Sequence, residues 1–141
     1  MISTKARYAL RVLIDLAEHR NGEFVPMKEV AARQELSLKY LERILPSLVK
    51  DRLVEGQHGK GGGYRLTKAP EEYRVLDVLK SVGEELAPVS CLAEDALPCP
   101  RSAECKTLTM WKNYQKLTED YFAGITLYDL ANTEAAGEYV I

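Results

Sequence analysis

Three cysteines fall within fifteen residues, in the segment Cys91-Leu-Ala-Glu-Asp-Ala-Leu-Pro-Cys99-Pro-Arg-Ser-Ala-Glu-Cys105, and the chain has no others. Thiolates are soft ligands, so three converging on one centre suit a soft metal or an iron–sulfur cluster. Pro98 and Pro100 keep the segment irregular, which leaves the backbone free to fold the sulfurs together. An odd trio does not make a disulfide framework, and zinc would ordinarily complete its tetrahedron with a fourth Cys or a His. The two histidines, His19 and His58, lie outside the segment. A labile cluster with an unusual fourth ligand suits the trio better; the alternatives are three reduced thiols without a ligand, or a redox disulfide.

A second group with chemistry to offer lies between Met27 and Leu66. Residues 27–34 read as a short helix, Glu35-Leu36 as a turn, and Ser37 as the N-cap of the next helix. From there Leu38, Leu41, Ile44, Leu45, Leu48 and Val49 recur at three-and-four spacing, the mark of one buried face. The opposite face carries Lys39, Tyr40, Glu42, Arg43 and Ser47, groups that reach phosphates and base edges from a helix in a major groove. Pro46 deletes one hydrogen bond in mid-helix, and a kink is expected there. Residues 53–55 and 64–66 read as strands flanking a turn from Gly56 to Gly63, so rich in glycine that positive φ is free of strain. His58 and Lys60 at its tip, with the bare backbone of Gly59 and Gly61, suit a minor groove or phosphates. This order of elements is a winged helix-turn-helix. A nucleotide loop is the rival reading, but no Gly-x-x-x-x-Gly-Lys-Ser/Thr pattern is present.

The elements that must position these groups follow from composition and periodicity. A chain of 141 residues, 46% apolar, has room for one compact domain and an extra helix. Its net charge of −2 is unevenly spread: residues 1–83 hold 15 Lys/Arg against 11 Asp/Glu, net +4, and residues 84–141 hold 4 against 10, net −6. The basic half is the half with the helix-turn-helix, and local field rather than total charge attracts phosphate. Tyr8, Ala9, Leu10, Val12, Leu13, Leu16 and Ala17 give the first helix a core face, while Lys5, Arg7 and Arg11 are available to a DNA backbone. Arg11 and Asp15 make this stretch too polar for an export signal and too short for a membrane span, so a cytoplasmic protein is expected.

Beyond the cysteines, Leu108, Trp111, Tyr114, Leu117, Tyr121, Phe122 and Ile125 form an apolar stripe along some nineteen residues of helix. A second copy of the chain is its expected partner, since two-fold symmetry matches palindromic DNA. Gly124-Ile-Thr126 then breaks and recaps a short helix over residues 127–131, followed by a mobile tail. The fold class expected is mainly α: a winged helix-turn-helix domain (1–83), a cysteine-containing loop (84–106), and a long dimerisation helix with a C-terminal tail (107–141). Candidate DNA contacts are Lys5, Arg7, Lys28, Ser37, Leu38, Lys39, Tyr40, Glu42, Arg43, His58, Gly59, Lys60, Gly61 and Tyr64. No Ser/His/Asp, Cys/His or paired-carboxylate arrangement points to an enzyme, and no small-molecule substrate is expected.

Ser3-Thr-Lys-Ala-Arg-Tyr-Ala-Leu10, Leu36-Ser-Leu-Lys-Tyr-Leu-Glu42, Gly59-Lys-Gly-Gly-Gly-Tyr64, the cysteine trio, Trp111 and Ile125-Thr-Leu-Tyr-Asp-Leu130 together resemble the IscR-type iron–sulfur regulators, Rrf-type winged helix-turn-helix repressors that include NsrR and CymR. The resemblance covers nearly the whole chain. It implies a homodimer on a palindromic double-stranded operator, with one [2Fe-2S] cluster per subunit held by Cys91, Cys99 and Cys105. It further implies that Glu42 sorts operators and that the regulated genes serve cluster biogenesis. A nitric-oxide or redox sensor of the same family, or a CymR-like regulator that docks a partner and holds no cluster, are the alternatives. Two features depart from the family pattern. Seven residues separate the first two cysteines where IscR has five, and Leu108 stands where IscR has a histidine ligand. The acidic ligand that NsrR takes from its first helix has no counterpart at Arg7-Tyr8. The fourth ligand is therefore open among Glu94, Asp95, Glu104, a threonine beside Leu108 and an exogenous thiol.

Overall fold

The computed structural model describes residues 1–135. Its first helix, α1 (Thr4–Glu18), starts where the Ser3 hydroxyl accepts from the Ala6 N–H at 3.1 Å, an N-cap of the usual chemistry. Ala6, Ala9, Val12, Leu13 and Leu16 line its buried side. The helix-turn-helix follows as α2 (Met27–Gln34) and α3 (Leu38–Lys50). Between them Glu35 takes a left-handed conformation at φ 53° and Ser37 caps α3, its hydroxyl accepting from the Tyr40 N–H at 3.3 Å. α3 runs on through Pro46 as a single helix.

Leu41, Ile44, Leu45 and Leu48 are buried as their spacing requires. Leu38 and Val49, expected on the same face, are instead 37% and 43% exposed. They stand at the two ends of α3, and the core covers only its middle turns.

The wing is an antiparallel pair, β1 (Val54–Gln57) and β2 (Gly63–Leu66), in the register Val54 opposite Leu66 and Gln57 opposite Gly63. The strands extend further into the glycine segment than their side chains suggest, since a glycine still offers its N–H and C=O to a ladder. Conversely Leu53 precedes β1, buried at 6% exposure. An isolated bridge adds Val25 to the outer side of β2: Val25 N–H donates to Tyr64 at 2.8 Å and Tyr64 N–H returns the bond at 2.9 Å. At Gly63, with φ +146°, a Cβ would lie 2.2 Å from the Val25 carbonyl oxygen, so this close approach admits no side chain. Beneath the wing, Tyr73 is buried; its hydroxyl donates to the Leu53 carbonyl at 2.6 Å and accepts from the Thr67 N–H at 3.0 Å.

α4 (Val75–Ser81) completes the core with Val75, Val78 and Leu79. The chain then passes through the cysteine segment to α5 (Leu108–Ala123) and α6 (Leu127–Ala131). α6 returns to α1, with Leu127 buried in the core and its N–H donating to the Tyr73 carbonyl at 2.9 Å. As the Gly124-Ile-Thr126 sequence requires, Thr126 and Asp129 form a reciprocal capping box. The tail expected to be mobile falls partly on residues 136–141, outside the described residues.

The stripe on α5 divides. The helix has 16 residues, not nineteen, and Ile125 lies past its end, where it packs with Phe122 against the core. Met110, Tyr114, Leu117 and Tyr121 stay 52%, 54%, 70% and 65% exposed. Two apolar directions on one helix read as a single wide stripe in sequence. Among the described residues no helix is long and apolar enough to cross a membrane.

Candidate nucleic-acid interface and thiol site

The reading face of α3 is set by what its other face buries. With Leu41, Ile44, Leu45 and Leu48 inward, Lys39, Glu42 and Arg43 are left exposed. Ser37, Lys39, Tyr40 and Arg43 border one shallow cleft at the start of the helix. Ser37 is exposed and uses a lone pair for its cap, so its O–H can still donate to a phosphate. Tyr40 is half-buried, its ring set edge-on to Tyr8 with centroids 5.5 Å apart. That contact places the first turns of α1, with exposed Arg7 and half-buried Lys5, beside the start of α3. Lys28 is exposed on α2. At the wing tip His58, Gly59, Lys60 and Gly61 are all exposed, while Tyr64 lies half-buried over Gly56.

Arg11 does not join this group. Its Nε donates to the Gln34 side-chain oxygen at 3.2 Å, a terminal nitrogen bonds the Gln34 carbonyl, and the guanidinium lies over the Tyr8 ring. It fastens α2 to α1 instead of facing DNA.

Sequence reasoning missed the group that does most of this fastening. Asp15, read only as too polar for an export signal, is wholly buried. Arg33 grips its carboxylate with two nitrogens, the shortest contact at 2.7 Å, and the Gln34 amide adds a bond at 3.0 Å. This hydrogen-bonded ion pair raises the pKa of the Arg33 guanidinium. A charge in the middle of the apolar face of α1, with an arginine in the next helix, was the available signal.

The cysteine segment is held by short turns. The Ser102 N–H donates to the Cys99 carbonyl at 3.1 Å and the Cys105 N–H to the Ser102 carbonyl at 3.4 Å. All three cysteines are free thiols. They line one cavity of about 240 Å³ together with Leu92, Pro98, Ser102, Leu108 and Lys112. Its wall carries none of Glu94, Asp95 or Glu104. The Cys105 thiol, 3.5 Å from the Thr107 hydroxyl, is lowered in pKa first by that hydroxyl and then by the Thr107 backbone. Arg101 adds a smaller favourable charge, so thiolate, the ligating form, is promoted here. Among the described residues no group of three His, Cys, Asp or Glu is gathered closely enough to hold a single metal ion. The three thiols line the cavity wall as its soft donors, the ligand type that soft metals and iron–sulfur clusters take.

Residues 2–133 match the Rrf2 family, described as "Iron-dependent Transcriptional regulator". The chain belongs to the Rrf2 family. It is accordingly a DNA-binding transcription regulator and not an enzyme. Protein rrf2 of Nitratidesulfovibrio vulgaris is 37% identical over 129 residues, 92% of this chain and 85% of that protein. Among solved structures, CymR, the global cysteine regulator of B. subtilis, superposes with a TM-score of 0.74 at 30% identity, covering 93% of this chain and 95% of the other. T. potens IscR does so with a TM-score of 0.72 at 32% identity, covering 92% and 85%. The winged helical fold and the IscR-type resemblance both hold for this Rrf2 chain.

Proposed function

We propose that this Rrf2 regulator is a cytoplasmic homodimer whose operator preference switches with the occupancy of an iron–sulfur cluster at Cys91, Cys99 and Cys105. The observation that carries the reading is the common cavity of the three free thiols, in a chain of a family described as iron-dependent. One [2Fe-2S] cluster per subunit is the form the IscR resemblance supports, and genes of cluster biogenesis are the targets. When bound, the cluster would supply a redox- and iron-sensitive link among the positions of Cys91, Cys99 and Cys105.

In this reading residues 1–83 bind DNA, 84–106 hold the cluster and 107–141 pair the subunits. Lys39, Glu42 and Arg43 address base edges from the major groove. Lys5, Arg7, Lys28, Ser37, Leu38 and Tyr40 fix the backbone register around them, and His58, Gly59, Lys60, Gly61 and Tyr64 build the wing contact. The exposed face of Met110, Tyr114, Leu117 and Tyr121 meets its copy.

The chain also has a physical route between the two sites. Leu108 and Lys112 belong to the first turns of α5 and also wall the thiol cavity, so occupancy bears on the dimer helix. At the other end of the segment Glu84 accepts from the Ser3 hydroxyl at 2.6 Å and from its N–H at 3.1 Å, which ties the loop to the N-cap beside Lys5 and Arg7.

Anaerobic isolation followed by visible absorbance and iron and sulfide analysis tests the proposal. Iron and sulfide are expected in equal amounts, and Cys91→Ala, Cys99→Ala and Cys105→Ala should each abolish the absorbance while the circular dichroism of the fold persists. Zinc without sulfide, or unfolding of any one variant, would show a structural site and refute it.

A further inference from the structure

We infer that Arg65 is a positioning residue of the wing, one that sets where the wing meets DNA without itself holding a phosphate; the inference rests on the reading above that the wing contacts DNA. An arginine on a wing strand would ordinarily be counted a backbone contact. Here its fork is engaged within the protein. Arg65 on β2 stands directly opposite Glu55 on β1, so the two side chains share one face of the ladder, and its Nε donates to the Glu55 carboxylate at 2.6 Å. From the same guanidinium a terminal nitrogen donates to the Gly22 carbonyl at 2.8 Å, and the guanidinium carbon lies 4.2 Å from the centroid of the Phe24 ring. A planar, permanently charged fork serves a carboxylate, a carbonyl and an aromatic face together, which the point charge of a lysine does not.

Gly22 and Phe24 belong to the segment between α1 and α2, which also supplies Val25 to the edge of β2. The Val25–Tyr64 pair of hydrogen bonds joins this segment to the wing at one point, and a two-stranded ribbon held at one point can rock about it. Arg65 adds a second attachment three residues earlier in the segment, at Gly22. With two points fixed, the wing keeps one angle to the helix-turn-helix. The tip has no anchor of its own, since a Cβ built on Gly59 or Gly61 meets no atom within 4 Å. The placement of His58 and Lys60 beside α3 is therefore inherited from the strands below them.

The experiment is operator affinity as a function of salt for wild type, Arg65→Ala, Arg65→Lys, Phe24→Leu and Lys60→Ala, with amide hydrogen exchange at Val25 and Tyr64 measured on the free proteins. Lys60→Ala, a direct contact in the reading above, should weaken binding and make the slope of log K against log salt shallower by about 1. Arg65→Ala and Phe24→Leu should weaken binding about threefold to tenfold with lines parallel to that of wild type, and should speed exchange at Val25 and Tyr64. Arg65→Lys should keep the wild-type slope and recover only part of the affinity. An Arg65→Ala slope shallower by about 1, with Phe24→Leu at wild-type affinity, would make Arg65 a phosphate contact and overturn the inference. Wild-type affinity in Arg65→Ala while Lys60→Ala binds weakly would also overturn it and leave the wing reading intact, and wild-type affinity in both would overturn both. If Arg65→Ala does not fold, Arg65→Lys and Phe24→Leu decide by the same slope and affinity criteria.

Discussion

Replacing Gly63 by alanine should detach the wing from the rest of the DNA-binding domain, and Gly61→Ala provides the contrast that isolates the cause. Both glycines have positive φ, +146° and +77°, so both substitutions strain the backbone. Around Gly61 no atom lies within 4 Å of the added Cβ, and the penalty is left-handed strain alone, about 1 kcal/mol. At Gly63 the Cβ would fall 2.2 Å from the Val25 oxygen and 2.3 Å from its carbon, both backbone atoms that no side-chain rotation can clear. Relief requires opening the bridge, which loses the two Val25–Tyr64 bonds, about 0.5–1.5 kcal/mol each, on top of about 1–3 kcal/mol of strain. Gly63→Ala should therefore lose about 2–6 kcal/mol, and with a urea m-value near 2 kcal/mol/M its midpoint should fall about 0.5–2.5 M below that of Gly61→Ala. DNA affinity at fixed salt should drop for Gly63→Ala while α3 stays helical. Equal midpoints for the two variants would refute the argument that the Val25 contact, and not φ, makes Gly63 necessary.

Other perturbations follow from the same structure. Asp15→Asn removes the charge from a fully buried carboxylate gripped by Arg33, which is partly exposed, and should destabilise by about 3 kcal/mol in urea unfolding; a loss within experimental error would deny the clamp its role. Leu117→Glu on the exposed face of α5 should give a single-chain mass by light scattering without loss of helicity, whereas an unchanged dimer would move the interface elsewhere. Glu42→Ala should broaden operator choice, because a carboxylate on the reading face accepts only from donors such as cytosine N4 and is left unpaired elsewhere at a cost of about 1–3 kcal/mol. An equal affinity change across all operators would contradict that exclusion role.

What was legible in the sequence divides along the range of the interactions involved. Ser37 announced the start of α3 and Thr126 that of α6, because caps act within three residues. The buried run from Leu41 to Leu48 followed from helical spacing. The wing was visible in its glycines, but not its strand ends, since Gly63 pairs with Gln57 and lies against Val25, some forty residues away in the chain. Likewise nothing local marks Arg11 as bound to Gln34, or Phe122 as turned to the core while Tyr121 beside it is exposed. At the thiol site the cysteines were evident by type and spacing. The carboxylates that the sequence offered as fourth ligands lie off the cavity wall, which is a matter of loop path and not of residue chemistry.

The measurement that bears most directly on the account is the affinity of one preparation for a panel of operators, taken anaerobically with the cluster in place and again after chelation removes it, at a single salt concentration. The account predicts that removal changes affinity for one operator class by about tenfold or more, a coupling of about 1.4 kcal/mol, while another class changes little, and that Cys99→Ala matches the clusterless protein throughout. Affinities that agree within about twofold for every operator in the two states would contradict it.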